Sequence, residues 1–297
     1  MKLRTPKLAA VAAAIVLAAS ACGDAGEDGA GAESGNEYEI VDSPEFEDGT
    51  RMAELAESGT VKIGVKYDQP GIGFRAAGAD APTGLDPELG KIIAGQLGIA
   101  PEDIEWVESI SDNREPFLQN GTVDFVIASY SITDERREVV GQAGPYYVTG
   151  QSLLVAADDD SIAGPEDLDG KKVCSVTGST SIKTVEEEYG ATPAGFDTYS
   201  ECVDQLLNGS VDAVTTDGAI LLGYAAENPD ELQVVGEPFS EERYGVGYSQ
   251  DAPELCEFLN ETIEQAYDNG DFEKAFDATL GKSGNDAPAK PELDSCS

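Results

Sequence analysis

Two segments of this chain, LQNGTVDFV at residues 118–126 and LLNGSVDAV at residues 206–214, are identical at six of nine positions and lie 88 residues apart. In each, an Asn-Gly stop ends a predicted helix, and an apolar strand beginning Val-Asp follows. Such a repeat indicates two lobes that carry the same helix–strand unit. Ser129 and Asp217 stand at the same offset beyond the two strands. Because ligands of open α/β sheets bind beyond the carboxyl ends of strands, we expect both residues to face one shared cleft.

Strands and helices alternate on both sides of these segments. Short β-rich runs predict strands at 61–65, 104–107, 123–128, 151–156, 172–175 and 213–216. Helical periodicity predicts helices at 86–97, 115–120, 200–208, 217–226, 254–268 and 272–280. This alternation is typical of an α/β fold with largely parallel sheets.

The charge balance and the missing histidine exclude several classes of function. The 297 residues include 58 Asp and Glu, 18 Lys and Arg and no His, which gives a formal net charge of −40. Without histidine, the chain has no His-based catalytic triad and no imidazole metal ligand. Nucleic acids are bound through clustered Lys and Arg, so this charge argues against a nucleic-acid partner.

Residues 1–21 are predicted to form a lipoprotein signal peptide. Basic residues at positions 2, 4 and 7 precede an apolar run at 8–19, which is too short to span a bilayer as a helix. The run leads through Ala19-Ser20-Ala21 to Cys22, which resembles a bacterial lipobox with alanine where leucine is usual. We therefore expect Cys22 to be acylated. The alternative is an ordinary signal peptide cleaved near Ala21.

The segment 22–50 is predicted to be a flexible acidic linker. Residues 23–50 contain ten acidic residues and no Lys or Arg, a composition that does not bury enough apolar surface to fold. The segment would tether the globular part to a membrane. The alternative is a solvated tail that serves only solubility.

The other four cysteines are predicted to form two disulfides. An exported chain meets oxidising conditions, and four is an even number. Cys174 and Cys202 lie within one predicted α/β region, and Cys256 and Cys296 bracket the C-terminal helices. Among the three possible connectivities, this placement favours Cys174–Cys202 with Cys256–Cys296. A zinc site is disfavoured because no Cys-x-x-Cys spacing and no histidine is present.

Two polar segments are candidate anion receptors. SYSITDERR at 129–137 places hydroxyls and two arginines near a predicted helix N-terminus, a combination that grips a carboxylate. The alternative is an N-capped surface helix with solvated arginines. VTGSTS at 176–181 leads from a strand into a turn whose free amides point outward.

No cofactor and no metal are expected. GIGFRA at 71–76 nominally matches a dinucleotide-binding pattern. However, Pro70 precedes it and a loop follows it, whereas that motif needs a strand before it and a helix after it.

The motifs occur in an order that identifies a family. After the lipobox come VKYDQPGIGF, REPFLQNGTVDFVIASYSITDERR, GPYYVTGQSLLV, GKKVCSVTGSTS and NGSVDAVTTDGAILLGYA. The chain resembles the extracellular solute-binding proteins of bacterial ABC importers for polar amino acids (solute-binding protein family 3), in particular actinobacterial glutamate-binding lipoproteins. The resemblance runs from 61 to 281. It implies a two-lobed, type II periplasmic-binding-protein-like fold, with lobe 1 at 51–148 plus 241–297 and lobe 2 at 149–240, that closes around its ligand.

The resemblance also implies a set of ligand contacts. Arg136 would hold the α-carboxylate, Asp217 the α-ammonium group and Arg114 the side-chain carboxylate of an acidic amino acid. Further contacts are expected from Ser129, Ser131, Ser179, Thr180 and the first-loop residue Asp68. Many relatives stack an aromatic residue on the ligand from the first loop, where this chain has Gly71. This departure leaves the first-loop contacts open.

The resemblance predicts a binding protein rather than an enzyme. We expect a monomer, lipid-anchored at the extracellular face of the cell membrane, that delivers glutamate or a related polar amino acid to ABC permease subunits. Two alternatives remain: an extracellular dehydratase-like enzyme of the same fold, and a ligand sensor for a membrane kinase. The missing histidine and the lack of an obvious activated nucleophile favour binding over catalysis.

Overall fold

A computed structural model gives the structure of residues 36–296. The strands of this part are β1 (Val61–Val65), β2 (Asp68–Gln69), β3 (Gly73–Phe74), β4 (Ile104–Glu108), β5 (Phe125–Val126), β6 (Gly141–Thr149), β7 (Gln151–Ala156), β8 (Lys172–Val176), β9 (Thr192–Phe196), β10 (Ala213–Asp217), β11 (Leu232–Val235) and β12 (Glu242–Tyr248). Its α-helices are α1 (Arg51–Ser58), α2 (Leu85–Gln96), α3 (Arg114–Gln119), α4 (Asp134–Arg137), α5 (Thr180–Glu188), α6 (Tyr199–Leu207), α7 (Gly218–Glu227), α8 (Leu255–Asn269) and α9 (Asp271–Ala278).

The strands form two five-stranded sheets and one small hairpin, β2–β3. The first sheet has the order β4-β1-β5-β12-β6, and the second has the order β11-β7-β10-β8-β9. We call the parts of the chain built on these sheets the first lobe and the second lobe. The chain passes to the second lobe after β6 and returns to the first between β11 and β12. The predicted two-lobed α/β fold is confirmed.

In each sheet four of the five strands run in the same direction, as the prediction of mostly parallel sheets requires, and one strand, β12 or β7, runs the opposite way. Each sheet contains two parallel pairings. Each also contains two antiparallel pairings, and every one of these involves β7 or β12. These two strands directly follow the crossings between the lobes. They enter their sheets without a helical crossover, which parallel neighbours would require.

Helix α2 shows how the apolar pattern builds the first lobe. Pro87 lies in its first turn, where the missing N–H of proline leaves no intrahelical hydrogen bond unmade. Leu89 and Ile93 are fully buried and belong to the same apolar cluster as Ile63 of β1. Each such side chain contributes about 1.5–3 kcal/mol by its burial. This burial holds α2 against the sheet of the first lobe.

The two crossings between the lobes lie side by side. Gln151 donates its N–H to the hydroxyl of Ser240 at 3.1 Å, and Phe239 donates its N–H to the carbonyl of Gln151 at 2.9 Å. A side chain at Gly150 would meet the carbonyl oxygen of Ser240, so glycine is needed for this close approach. Two adjacent crossing segments have the arrangement of a hinge.

Residues 36–50 are packed on the first lobe, which corrects the prediction that the whole segment 22–50 is a flexible linker. Tyr38 donates its hydroxyl hydrogen to Glu88 at 2.6 Å, and Val41 donates its N–H to the carbonyl of Gly95 at 2.9 Å. Phe46 packs edge-on against Phe258, with ring centroids 5.8 Å apart. These few apolar and aromatic side chains outweigh the acidic composition. Residues 22–35, Cys22 and the predicted signal peptide 1–21 lie outside the described residues.

Both predicted disulfides are present, which confirms the chosen connectivity. Cys174 is bonded to Cys202 and Cys256 to Cys296, across 28 and 40 residues of sequence respectively. The first links β8 to α6 inside the second lobe. The second ties the C-terminal segment to α8 of the first lobe. Within residues 36–296, no helix has both the length and the apolar character needed to cross a membrane.

Candidate functional site

A polar cavity lies between the lobes, beyond the carboxyl ends of the central strands. Residues of the first lobe line one wall: Ser111, Arg114, Ser129, Ser131 and Arg136. Residues of the second lobe line the other: Ser179, Thr180, Ser181, Tyr199, Thr216, Asp217 and Ile220. The repeat-based prediction that Ser129 and Asp217 face one cleft is therefore confirmed, and seven of the eight predicted contact residues line this cavity. Their contacts with a ligand stay predictions.

Two buried arginines dominate the wall of the first lobe. Their guanidinium carbons lie 4.5 Å (Arg114) and 4.9 Å (Arg136) from the ring centroid of Tyr130, so both cations rest on one aromatic ring. Arg114 also donates to the carbonyl of Ala128 at 3.2 Å, and Arg136 donates to that of Ser131 at 2.6 Å. Burial and the neighbouring Arg136 lower the pKa of Arg114 to about 10, so it stays charged at neutral pH.

The arginines also reach across the cleft. Arg114 and Arg136 donate to the carbonyl oxygen of Gly178 at 3.3 and 3.1 Å. Gly178 belongs to the polar turn that leads into α5 of the second lobe, so the cleft is closed in this structure. Ser179 caps α5 by accepting the N–H of Ile182 at 3.2 Å. The first-turn amides of such a helix have no intrahelical acceptor, and the positive end of its dipole favours an anion.

Asp217 is the acidic counterpart on the wall of the second lobe. It ends β10 and is only 4% exposed. One carboxylate oxygen accepts the hydroxyl hydrogen of Tyr244, whereas the other is buried without a hydrogen-bond partner among the described residues. Burial, helped by the nearby charge of Glu242, raises the pKa of Asp217 to about 7. A buried carboxylate with a free oxygen is a receptor for a cation.

Sequence reasoning missed two buried ionisable residues, Lys66 and Asp86, that each bond a residue of the cavity wall. Lys66 is 3% exposed and donates to the hydroxyl of Ser111 at 2.9 Å. Asp86 accepts the N–H of Ser129 at 2.8 Å and the hydroxyl hydrogen of Tyr146 at 2.6 Å. Burial lowers the pKa of Lys66 to about 7, with Arg114 adding to the effect, and burial raises the pKa of Asp86 to about 7.

Lys66 could have been predicted from the sequence, and Asp86 acts through Ser129. Lys66 directly follows β1, so the carboxyl-end rule that selected Ser129 would also have selected Lys66. Asp86 holds Ser129, which has a backbone φ of 43°, in a left-handed conformation that non-glycine residues seldom adopt. Lys66 and Asp86 therefore support the wall that carries Ser129 and the arginines.

Asp68 is the predicted contact residue that the structure does not bring to the cavity. Its carboxylate accepts the N–H of Tyr199 at 2.7 Å, across the lobe boundary. The reason is the β2–β3 hairpin, which presents this side chain to the start of α6 rather than to the cleft. Among residues 36–296 there is also no group of three or more His, Cys, Asp or Glu side chains placed to hold a metal ion.

Comparison with known proteins identifies the family of this chain. The family model for bacterial extracellular solute-binding proteins, family 3, matches residues 61–282. The glutamate-binding protein GluB of Corynebacterium efficiens is 39% identical over 290 residues, covering 93% of this chain and 91% of that protein.

Two solved structures have a similar fold. An ancestral arginine-binding protein bound to glutamine is 37% identical with a TM-score of 0.70, covering 75% of this chain and 98% of the other. The ancestral amino acid-binding protein AncCDT-1, a precursor of cyclohexadienyl dehydratase, is 29% identical with a TM-score of 0.71, covering 78% of this chain and 100% of the other. With two lobes, a polar cleft and a family match over most of its length, this chain belongs to the bacterial extracellular solute-binding proteins, family 3.

Proposed function

We propose that this protein is the substrate-binding component of an ABC amino-acid importer and that its cavity takes an acidic amino acid, glutamate first. The observation that carries the proposal is the division of charge across the cavity. Two buried guanidinium groups stand on the wall of the first lobe, and one buried carboxylate with a free oxygen stands on the other. An α-amino acid carries the complementary carboxylate and ammonium groups.

The residues of the cavity suggest an orientation for the ligand. Arg136, with the hydroxyls of Ser129 and Ser131 beside it, is suited to the α-carboxylate through paired, charge-assisted hydrogen bonds. The free oxygen of Asp217 is suited to the α-ammonium group. Thr180, the first residue of α5, adds a backbone amide donor, and Ser179 lies beside it as the cap of the helix.

An acidic side chain is supported by the second guanidinium and by the buried lysine that bonds the cavity wall. Arg114 is 2% exposed, and the ammonium group of Lys66 bonds Ser111, which shares the cavity wall with Arg114. Arg114 bonds only backbone carbonyls among the described residues, and burial of such a cation is costly unless an anion compensates it. A side-chain carboxylate supplies that charge, whereas the amide of glutamine does not. The name of the Corynebacterium efficiens relative agrees with this assignment.

Calorimetric titration of ligand-stripped protein tests the proposal. We expect heat of binding with glutamate, weaker binding with aspartate, and weaker binding still with glutamine and asparagine. The Arg75→Ala variant is the control and should bind glutamate as the wild type does, because Arg75 is a first-lobe arginine that bonds the carbonyl of Ala79 and does not line the cavity. Tightest binding of a neutral or cationic amino acid would refute the acidic-ligand assignment.

We further propose that Cys22 is acylated and holds the protein at the extracellular face of the membrane, from which it serves the permease. Its support is the Ala19-Ser20-Ala21-Cys22 lipobox. Mass spectrometry of the mature N-terminus tests it. An unmodified N-terminus near residue 22, or a Cys22→Ser variant that stays membrane-bound, would refute the anchor.

An enzyme of the same fold is the second candidate, favoured by two observations. One is the likeness to a precursor of a dehydratase. The other is Asp217, because a cavity carboxyl with a pKa raised to about 7 has the affinity for protons that a general acid or base needs. Incubation with each bound amino acid, followed by chromatography, separates the candidates, since only an enzyme yields a new product.

A further inference from the structure

We infer that Asp68 is a closure latch: it caps helix α6 of the opposite lobe and so stabilises the closed, ligand-holding form without touching the ligand. The inference rests on the proposed binding function. Its basis is a set of contacts that join the β2–β3 hairpin of the first lobe to α6 and α7 of the second.

The carboxylate of Asp68 completes the N-terminal cap of α6. Within the second lobe, Thr198 accepts the N–H of Glu201, and Glu201 in return accepts the N–H of Thr198. This capping box leaves the amide of Tyr199, the first residue of the helix, without a partner from its own lobe. Asp68 accepts that N–H at 2.7 Å. A carboxylate in this position also interacts favourably with the helix dipole.

A second contact holds the same residue. The hydroxyl of Tyr224, on α7, donates to the backbone carbonyl of Asp68. Next to it, the backbone of Pro70 lies so close to Gly223 of α7 that a Cβ there would overlap the Pro70 carbonyl oxygen. The hairpin thus docks against two helices of the second lobe. Opening the cleft would break both hydrogen bonds, because their partners belong to different lobes.

The latch shares a residue with the cavity. Tyr199 lines the cavity, and its hydroxyl accepts the hydroxyl hydrogen of Thr216 at 2.6 Å. Thr216 precedes Asp217, the proposed ammonium receptor. The start of α6 is therefore in contact both with the proposed ligand site and with Asp68, and through Tyr199 it also bonds the end of β10. Asp68 itself lies outside the cavity, so it adds to affinity equally for every amino acid that closes the cleft.

The test compares ligand kinetics in Asp68→Ala, Asp68→Asn and Tyr224→Phe with those of the wild type. For Asp68→Ala we expect the dissociation rate of glutamate to rise about 5- to 20-fold, the range for a lost hydrogen bond to a partly exposed charged group. The association rate and the ratio of glutamate to glutamine dissociation constants should stay unchanged. Asp68→Asn keeps an acceptor oxygen and should recover part of the loss.

Asp80→Ala is the matched control, since Asp80 lies exposed on the loop that follows the hairpin and its carboxylate makes no hydrogen bond among the described residues. An unchanged dissociation rate in Asp68→Ala would overturn the latch. So would a glutamate-to-glutamine ratio that moves threefold or more, because that change identifies a ligand contact. Thermal melting shows whether a variant folds, and Tyr224→Phe tests the same interface where Asp68→Ala does not fold.

Failure of the proposed function has a different signature. If no amino acid binds the wild type, that function is wrong, and the latch is then tested on the free protein. Spin labels on the two lobes report the ratio of closed to open molecules, which Asp68→Ala should lower and Asp80→Ala should not. Equal ratios in both variants would overturn the latch on their own.

Discussion

Replacing Arg114 with alanine is expected to weaken the binding of glutamate more than the binding of glutamine. Arg114 is 2% exposed, and its guanidinium faces the cavity from the ring of Tyr130. Loss of one partner of a buried charge pair costs about 2–5 kcal/mol, whereas a hydrogen bond from the charged guanidinium to the neutral amide of glutamine contributes about 1.5–3 kcal/mol. The difference between the two lower and between the two upper limits, about 0.5–2 kcal/mol, corresponds to a change of about 2- to 30-fold in the ratio of the two dissociation constants.

The ratio is the right quantity because other effects of the substitution cancel in it. The lost bonds from Arg114 to the carbonyls of Ser111, Ala128 and Gly178 weaken the wall of the cavity for both ligands alike. Calorimetry on both ligands gives the ratio directly. Arg136→Ala is the matched comparison: it should weaken glutamate and glutamine together, by about 2–5 kcal/mol, since both carry an α-carboxylate. Equal losses in Arg114→Ala would refute the assigned role and leave Arg114 as a support for the wall.

Three further outcomes are expected. Burial raises the pKa of Asp217 to about 7, and only its charged form pairs with the α-ammonium group. The dissociation constant of glutamate should therefore rise as pH falls below about 7, by up to about tenfold per pH unit. Asp217→Asn should flatten this profile. Replacing Cys256 and Cys296 by serine should lower the free energy of unfolding by about 3–4 kcal/mol in denaturant titrations, and an unchanged midpoint would count against the cross-link. Gly95→Val should release residues 36–46 to proteases, because its side chain would overlap the carbonyl of Glu39, while glutamate binding stays intact.

Much of the site could be read from local sequence. A strand's carboxyl end is a local feature, and in a two-lobed α/β fold such ends meet at one cleft. The rule therefore placed Ser129 and Asp217 on one cavity from nine-residue segments alone. The two disulfides could be predicted in the same way, because the two cysteines of each pair are only 28 and 40 residues apart in sequence and belong to the same part of the fold.

Other features depend on partners that are distant in sequence. β6 and β12 contain several glycines and a proline and lack an alternating pattern, so neither was predicted. They are strands because they pair with each other, residue 149 against residue 242. The strand predicted at 123–128 is shorter in the structure, Phe125–Val126. Only these two residues pair with β1 on one side and with β12 on the other.

The first loop and the acidic segment show the same division. Composition predicted disorder for residues 36–50, but this segment contacts Gly95 and Phe258 of the first lobe, and composition carries no information about such distant partners. Sequence marked Asp68 as a polar first-loop residue, and only the closed arrangement of the lobes gave its carboxylate a helix to cap. Periodicity, stops and cysteine placement are local and are set by the chain itself. Which polar group meets which is decided by contacts between lobes, which no window of sequence contains.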